Sequence, residues 1–290
     1  MVPRVSGMIE IEVVGTQKCQ WGEGAVWWDG ALLYVDIEGK RIHRFSPETG
    51  NEESWEAGQR VGTVVPRKGG GFIFAGDDGM FFLDEKSGGI APIADPEPDK
   101  ADNRFNDGKC SPDGRFFAGT ISLVKKEGDA KLYRLDPNLT LHEAYGPVTN
   151  SNGIVWTADG KTCYYIDTPT KQVLAFSYAD GILTNPRPVV STKHHEASPD
   201  GMSIDADGNL WIAFCHGACV CCFSPETGEE LRKISLPCLE TTSCAFGGPD
   251  LADLYVTTGI HKVQIEEDAG RLFRIRGLGV KGLPANSFAG

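Results

Sequence analysis

The chain has 290 residues, 40% hydrophobic and 23% charged, which is enough apolar material for a full core and too much for a disordered chain. Its 28 basic and 40 acidic residues give a formal net charge of −12 at pH 7. That is the wrong sign for a nucleic-acid surface, which must displace counterions from phosphates.

No run of 18 apolar residues is present, so the sequence offers no membrane-spanning helix. The opening Met1-Val2-Pro3-Arg4-Val5-Ser6-Gly7 lacks the apolar central run of a secretory signal. The nine cysteines are an odd number, and together these features predict a cytoplasmic, reducing setting with free thiols. The 36 glycines, about 12% against a usual ~7%, are spread along the chain as tight turns between short strands require.

In chain order, residues 1–8 are expected to be disordered or peripheral. Residues 9–14 read as a strand with no partner in the segment that follows. A repeat then begins: a turn rich in Gly or Asp-Gly, an alternating apolar strand, a short break and a closing strand. Asp29-Gly30 precedes Leu32-Leu33-Tyr34-Val35, Gly70-Gly71 precedes Phe72-Ile73-Phe74, and Asp113-Gly114 precedes Phe116-Phe117-Ala118. Asp159-Gly160 precedes Cys163-Tyr164-Tyr165-Ile166, Asp207-Gly208 precedes Leu210-Trp211-Ile212, and Gly248-Pro249-Asp250 precedes Leu254-Tyr255-Val256. The period of roughly 40–48 residues is that of a four-stranded propeller blade. No helical periodicity competes with it. The expected fold is all-β: one six-bladed β-propeller spanning residues 1–290, with the N-terminal strand closing the last blade so that neither end leaves a bare edge.

Each repeat places one residue just before its innermost strand. In order these are Glu23, Val61, Asn106, Asn152, Asp200 and Thr242. Five carry an oxygen donor, and blade symmetry would gather them at one mouth of the channel. Acids crowded together call for positive charge between them. An acid-and-amide donor set without Cys or His is a hard site, suited to Ca²⁺, Mg²⁺ or Mn²⁺ before Zn²⁺. Asn-Gly and Asp-Gly are also common turn dipeptides, which accounts for single members of the set but not for Glu23.

Arg104 lies two residues before Asn106, so an extended backbone sends both to one side. There an arginine can orient the hydroxyls or carbonyl of a polar ligand; a surface ion pair is the alternative reading. The run Cys215, His216, Cys219, Cys221 and Cys222 lacks paired zinc-ligand spacing, and Cys219 and Cys221 share a strand face as small hydrophobes do. His194-His195 reads as an exposed polar loop before Asp200, with a place on the pocket rim as the alternative.

The motifs Trp21-Gly22-Glu23-Gly24, Arg104-Phe105-Asn106-Asp107-Gly108-Lys109, Ser151-Asn152-Gly153, Tyr165-Ile166-Asp167 and Pro199-Asp200-Gly201-Met202 resemble the SMP-30/gluconolactonase/luciferin-regenerating family, over essentially the whole chain. The resemblance implies one divalent metal (Ca, Mg, Mn or Zn) on Glu23, Asn152 and Asp200, with substrate contacts from Arg104 and Asn106. It implies hydrolysis of a small-molecule aldonolactone with Asp200 as general base, and no nucleic-acid or membrane partner. In part of the family a longer third-repeat loop carries a substrate-contacting glutamate. Here that loop is short, and Val124 falls near the equivalent position. Phosphoester, arylester or luciferin-type hydrolysis is the alternative chemistry, and a non-catalytic calcium-binding propeller the alternative class.

Overall fold

The computed structural model describes residues 8–261 and 266–290. It contains six four-stranded antiparallel sheets arranged as blades. Among the described residues the one helical element is a 3₁₀ turn, Thr168–Thr170. Within each of the first five blades the four strands follow one another in sequence. The innermost strands of blades 1 to 6 are Gly22–Trp28, Val61–Pro66, Asn103–Cys110, Ser151–Trp156, Ser198–Ile204 and Thr241–Gly247.

The sixth blade takes its outer strand from the other end of the chain. Glu10–Val14 pairs antiparallel with Leu272–Arg276, with Glu10 opposite Arg276 and Val14 opposite Leu272. Arg274 and Arg276 bind Glu12 and Glu10 at 2.8 Å and 2.9 Å. The predicted closure is therefore present, and it removes the exposed edge that an open ring of sheets would carry. Residues 1–7 lie outside the described set; Met8, the last of the stretch expected to be peripheral, is exposed.

The strands form where the sequence alternates, and the turns form where it supplies residues tolerant of left-handed backbone. Asp29 and Gly30 both have positive φ (48° and 75°), as a two-residue hairpin turn needs. The core is not one mass but a set of clusters between adjacent blades. One joins Ala25, Leu32, Tyr34 and Phe45 of blade 1 to Ala245, Tyr255 and Leu272 of blade 6, sealing the ring. Another joins Tyr164, Ile166 and Val173 of blade 4 to Met202, Ile212 and Phe214 of blade 5. At roughly 25 cal/mol per Å² of buried apolar surface, such seams supply most of the stabilisation and fix each blade's rotation about the axis.

Every innermost strand breaks register with its neighbour near its start. The shifts fall between Glu23 and Val26, Val61 and Thr63, Phe105 and Gly108, Ser151 and Ile154, Pro199 and Met202, and Thr241 and Ser243. A bulge bends a strand and re-aims one side chain. Six copies, one per blade at the same mouth, turn a repeat in sequence into a ring of side chains around the axis.

Candidate metal centre and substrate pocket

Glu23, Arg104, Asn106, Asn152 and Asp200 all line a single cavity of about 930 Å³ at the mouth where the bulges lie. All five are buried. The structure therefore gathers at one place every residue the sequence singled out for metal and substrate. Thr242, the remaining in-phase donor, turns away. Its hydroxyl meets the Gly22 carbonyl at 2.5 Å and Thr257 Oγ1 at 2.9 Å, so it ties blade 6 to blade 1 and does not reach the cavity.

Glu23 and Asp200 come from blades 1 and 5 and lie near enough in the cavity for the Glu23 charge to disfavour ionisation of Asp200. Burial, followed by the charge of Asp107, pushes the Glu23 carboxyl up to about 8. Burial, then the charges of Glu23 and Asp107, holds Asp200 well above the usual carboxylate range. The Gly24 amide donates to Glu23 Oε2 at 2.9 Å, which limits the first shift. Asp107 lies nearby and is itself buried; Oδ1 accepts from the Gly108 amide at 2.7 Å, and Oδ2 has no hydrogen-bond partner among the described residues. Lys109 offsets part of this negative charge and donates to the Met202 carbonyl at 2.9 Å.

The orientation of the Asn152 amide follows from its neighbours. The Thr168 hydroxyl donates to the Pro199 carbonyl at 2.9 Å, so its oxygen accepts the 2.9 Å bond from Asn152 Nδ2. That leaves Asn152 Oδ1 on the side of Asn106, whose Nδ2 lies 3.4 Å from it. Glu23, Asn152 and Asp200 line one cavity and carry oxygens of the hard kind, with the Asn152 amide also donating toward the Asp200 carboxylate. Two interacting buried acids with raised pKa values, beside an orphaned third carboxylate oxygen, fit a divalent cation on electrostatic grounds.

Arg104 and Asn106 are held as a unit. Arg104 Nη1 donates to Asn106 Oδ1 at 2.8 Å and to the Phe105 carbonyl at 2.7 Å, and Asn106 Nδ2 donates to the Ser151 carbonyl at 2.8 Å. Burial, then the neighbouring Arg60, lowers the Arg104 pKa to about 10, which leaves it charged at neutral pH. Its Nε has no partner among the described residues and is closed off from solvent.

Several cavity residues were not singled out in the sequence. Thr168, Lys171 and Asn150 line the wall, and the short blade-3 loop contributes Lys125 and Glu127. Val124, which the sequence reading put near the place of the family's glutamate, is 60% exposed and does not line the cavity. An acid of this loop, Glu127, does line it. Asp167 braces the entry to blade 4 by accepting from the Asn150 amide at 2.8 Å and the Thr149 amide at 3.2 Å. Asp36 does the same for Gln20 and Trp21 in blade 1, both at 2.9 Å. The recurrence of Tyr-x-Asp at residues 34–36 and 165–167 was the available signal for this device.

The cysteine run divides. Cys219, Cys221 and Cys222 pack in the core beside blade 5, and all nine cysteines are buried free thiols. Cys215 and His216 instead line the cavity, backed by the fully buried Glu240, which accepts from Cys215 Sγ at 3.2 Å and lies 2.7 Å from His216 Nδ1.

A six-bladed propeller with acid and amide side chains converging on a pocket at one mouth defines the class of protein. Residues 21–260 match the SMP-30/Gluconolactonase/LRE-like region. The chain is 41% identical to regucalcin of Danio rerio over 293 residues, covering 97% of this chain and 99% of that protein. Against regucalcin of Homo sapiens it is 37% identical over 296 residues, with 97% and 99% covered. Among solved structures it superposes on a luciferin-regenerating enzyme with a TM-score of 0.89 at 28% identity, covering 97% of this chain and 99% of that one. The chain belongs to the SMP-30/gluconolactonase/luciferin-regenerating family, with regucalcins among its relatives.

Proposed function

We propose that the protein is a divalent-metal-dependent lactonase that opens sugar lactones of the aldonolactone type. The observation that carries this reading is the gathering of the buried acids Glu23 and Asp200 with Asn152, Arg104 and Asn106 around one cavity large enough for a sugar ring. Family membership supports it.

Glu23, Asn152 and Asp200 would hold the cation. When bound, it would keep both acids ionised and polarise the lactone carbonyl. Asp200 takes a proton from the attacking water, whose oxygen bonds to the carbonyl carbon. The ring C–O bond then breaks, and the departing ring oxygen takes that proton back from Asp200. Arg104, which lines the cavity, holds a ring hydroxyl through its guanidinium, and Asn106 keeps the guanidinium from rotating away. Lys125 and Glu127 supply polar contacts at the rim. The free buried thiols suit a reducing compartment, and we place the protein in the cytoplasm.

The test is hydrolysis of an aldonolactone panel by metal-stripped protein restored with Ca²⁺, Mg²⁺, Mn²⁺ or Zn²⁺ in turn. Metal-restored turnover that Asp200→Asn lowers at least 100-fold supports the reading. Metal binding without lactone turnover would favour a calcium-binding propeller. The cavity volume gives bulkier esters a specific claim, and faster rates on aryl esters or phosphoesters than on lactones would reassign the substrate.

A further inference from the structure

A second set of ligand atoms converges outside the cavity, in the loop that joins blade 4 to blade 5. Consecutive side chains normally diverge, yet His194 and His195 face the same carboxylate. A turn closed by the His195 amide on the Thr192 carbonyl at 2.9 Å brings both rings round. His195 Nε2 lies 2.7 Å and His194 Nε2 3.3 Å from one oxygen, Glu230 Oε2, at the start of the outer strand Glu230–Ser235. The three ligand atoms lie within 4.8 Å of one another. None of the three residues lines the cavity.

We propose that His194, His195 and Glu230 form a second metal site that takes an imidazole-preferring divalent cation such as Zn²⁺. Tetrahedral zinc with bonds of about 2.0–2.1 Å separates its nitrogen and oxygen ligands by roughly 3.3 Å. The His194–Glu230 edge matches that at 3.3 Å and the His195–Glu230 edge is shorter at 2.7 Å, so coordination needs the carboxylate to draw back from His195 by roughly half an ångström. Preorganisation favours it. The His195 ring is clamped against Phe214, with centroids 4.4 Å apart, and the His194 ring lies 4.3 Å from His195. Behind the pair, Lys171 Nζ holds the backbone carbonyls of His195 and Glu196 at 2.7 Å and 3.0 Å.

Two imidazoles and one carboxylate select zinc, copper, nickel or cobalt and disfavour Ca²⁺ and Mg²⁺. The chain would then carry two metal sites of opposite preference. The outer one ties the edge of blade 5 to the loop that leads, through Ser198 and Pro199, into Asp200. This inference does not depend on lactonase activity.

The experiment uses full-length protein carrying Glu23→Gln, which weakens the cavity site and leaves the outer one intact. Titration with Zn²⁺ at pH 7.5, read by calorimetry, is expected to show one bound ion per chain and a rise in Tm, with no such response to Ca²⁺. Adding His194→Ala, at an exposed ring, should weaken Zn²⁺ binding at least 10-fold and abolish the rise in Tm; Glu230→Gln should do the same. Co²⁺ in place of Zn²⁺ should give visible absorption that is lost in the His194→Ala and Glu230→Gln proteins. Zn²⁺ stoichiometry and Tm that are unchanged by both His194→Ala and Glu230→Gln would overturn the proposal. A simple imidazole–carboxylate hydrogen bond is what would then remain.

Discussion

Glu23→Gln replaces a carboxylate by a neutral side chain of nearly the same shape, and in metal-free protein it should stabilise the fold. The reason is linkage. The Glu23 carboxyl titrates near 4.5 when unfolded and near 8 in the folded chain, chiefly because burial disfavours its charge. A raised acid gives folding its full stability below pH 4.5. That stability is lost progressively as pH rises toward 8, because the unfolded chain releases a proton that the folded chain retains. At pH 7 the difference spans about 2.5 pH units, or roughly 3 kcal/mol at 1.36 kcal/mol per unit. For a chain of this length that is about 5 °C in Tm. Relief of Asp200, which Glu23 also opposes, acts in the same direction.

The assay is differential scanning calorimetry of chelator-treated wild type and variant from pH 4.5 to 8.5, then again with saturating divalent cation. Metal-free wild type should lose Tm as pH rises, and the variant should lose less. The cation should raise the wild-type Tm most at high pH, where it has the greatest charge to neutralise. Equal Tm values and equal pH slopes for the two metal-free proteins would show that the Glu23 charge is not disfavoured in the folded chain, and the electrostatic case for the metal centre would fail.

Thr168→Val removes the oxygen that accepts from Asn152 Nδ2 and the hydroxyl that donates to the Pro199 carbonyl, so Asn152 loses its brace; divalent-cation affinity should fall roughly 10-fold by equilibrium dialysis, with a stability loss of roughly 1–2 kcal/mol. Arg104→Lys loses the fixed guanidinium fork on Asn106, so the lactone KM should rise by about 10-fold while bound metal per chain stays the same, checked by steady-state kinetics and metal analysis. Gly153→Ala places a Cβ about 2.6 Å from Met202 Cβ and 2.8 Å from the Asp200 carbonyl, and should cost roughly 1–3 kcal/mol in chemical unfolding while weakening metal binding.

The blade count, the strand positions and the closure by residues 10–14 were legible in the sequence because each depends on local alternation and on turns such as Asp29-Gly30. The acid and amide set was legible for the same reason. A repeat that copies its backbone also copies its phase, so residues one period apart arrive at equivalent places around a ring. What the sequence could not decide is which donors reach the axis. Thr242 stands in phase with Glu23 and Asp200, yet bonds inward to Gly22 and Thr257. Val124 stands where an acid was sought, while Glu127 reaches the cavity. Glu230 meets His194 and His195 from more than thirty residues away. Backbone phase is set by near neighbours along the chain. The aim of a side chain is set by partners across blades, and those exist only after the inter-blade seams have closed the ring.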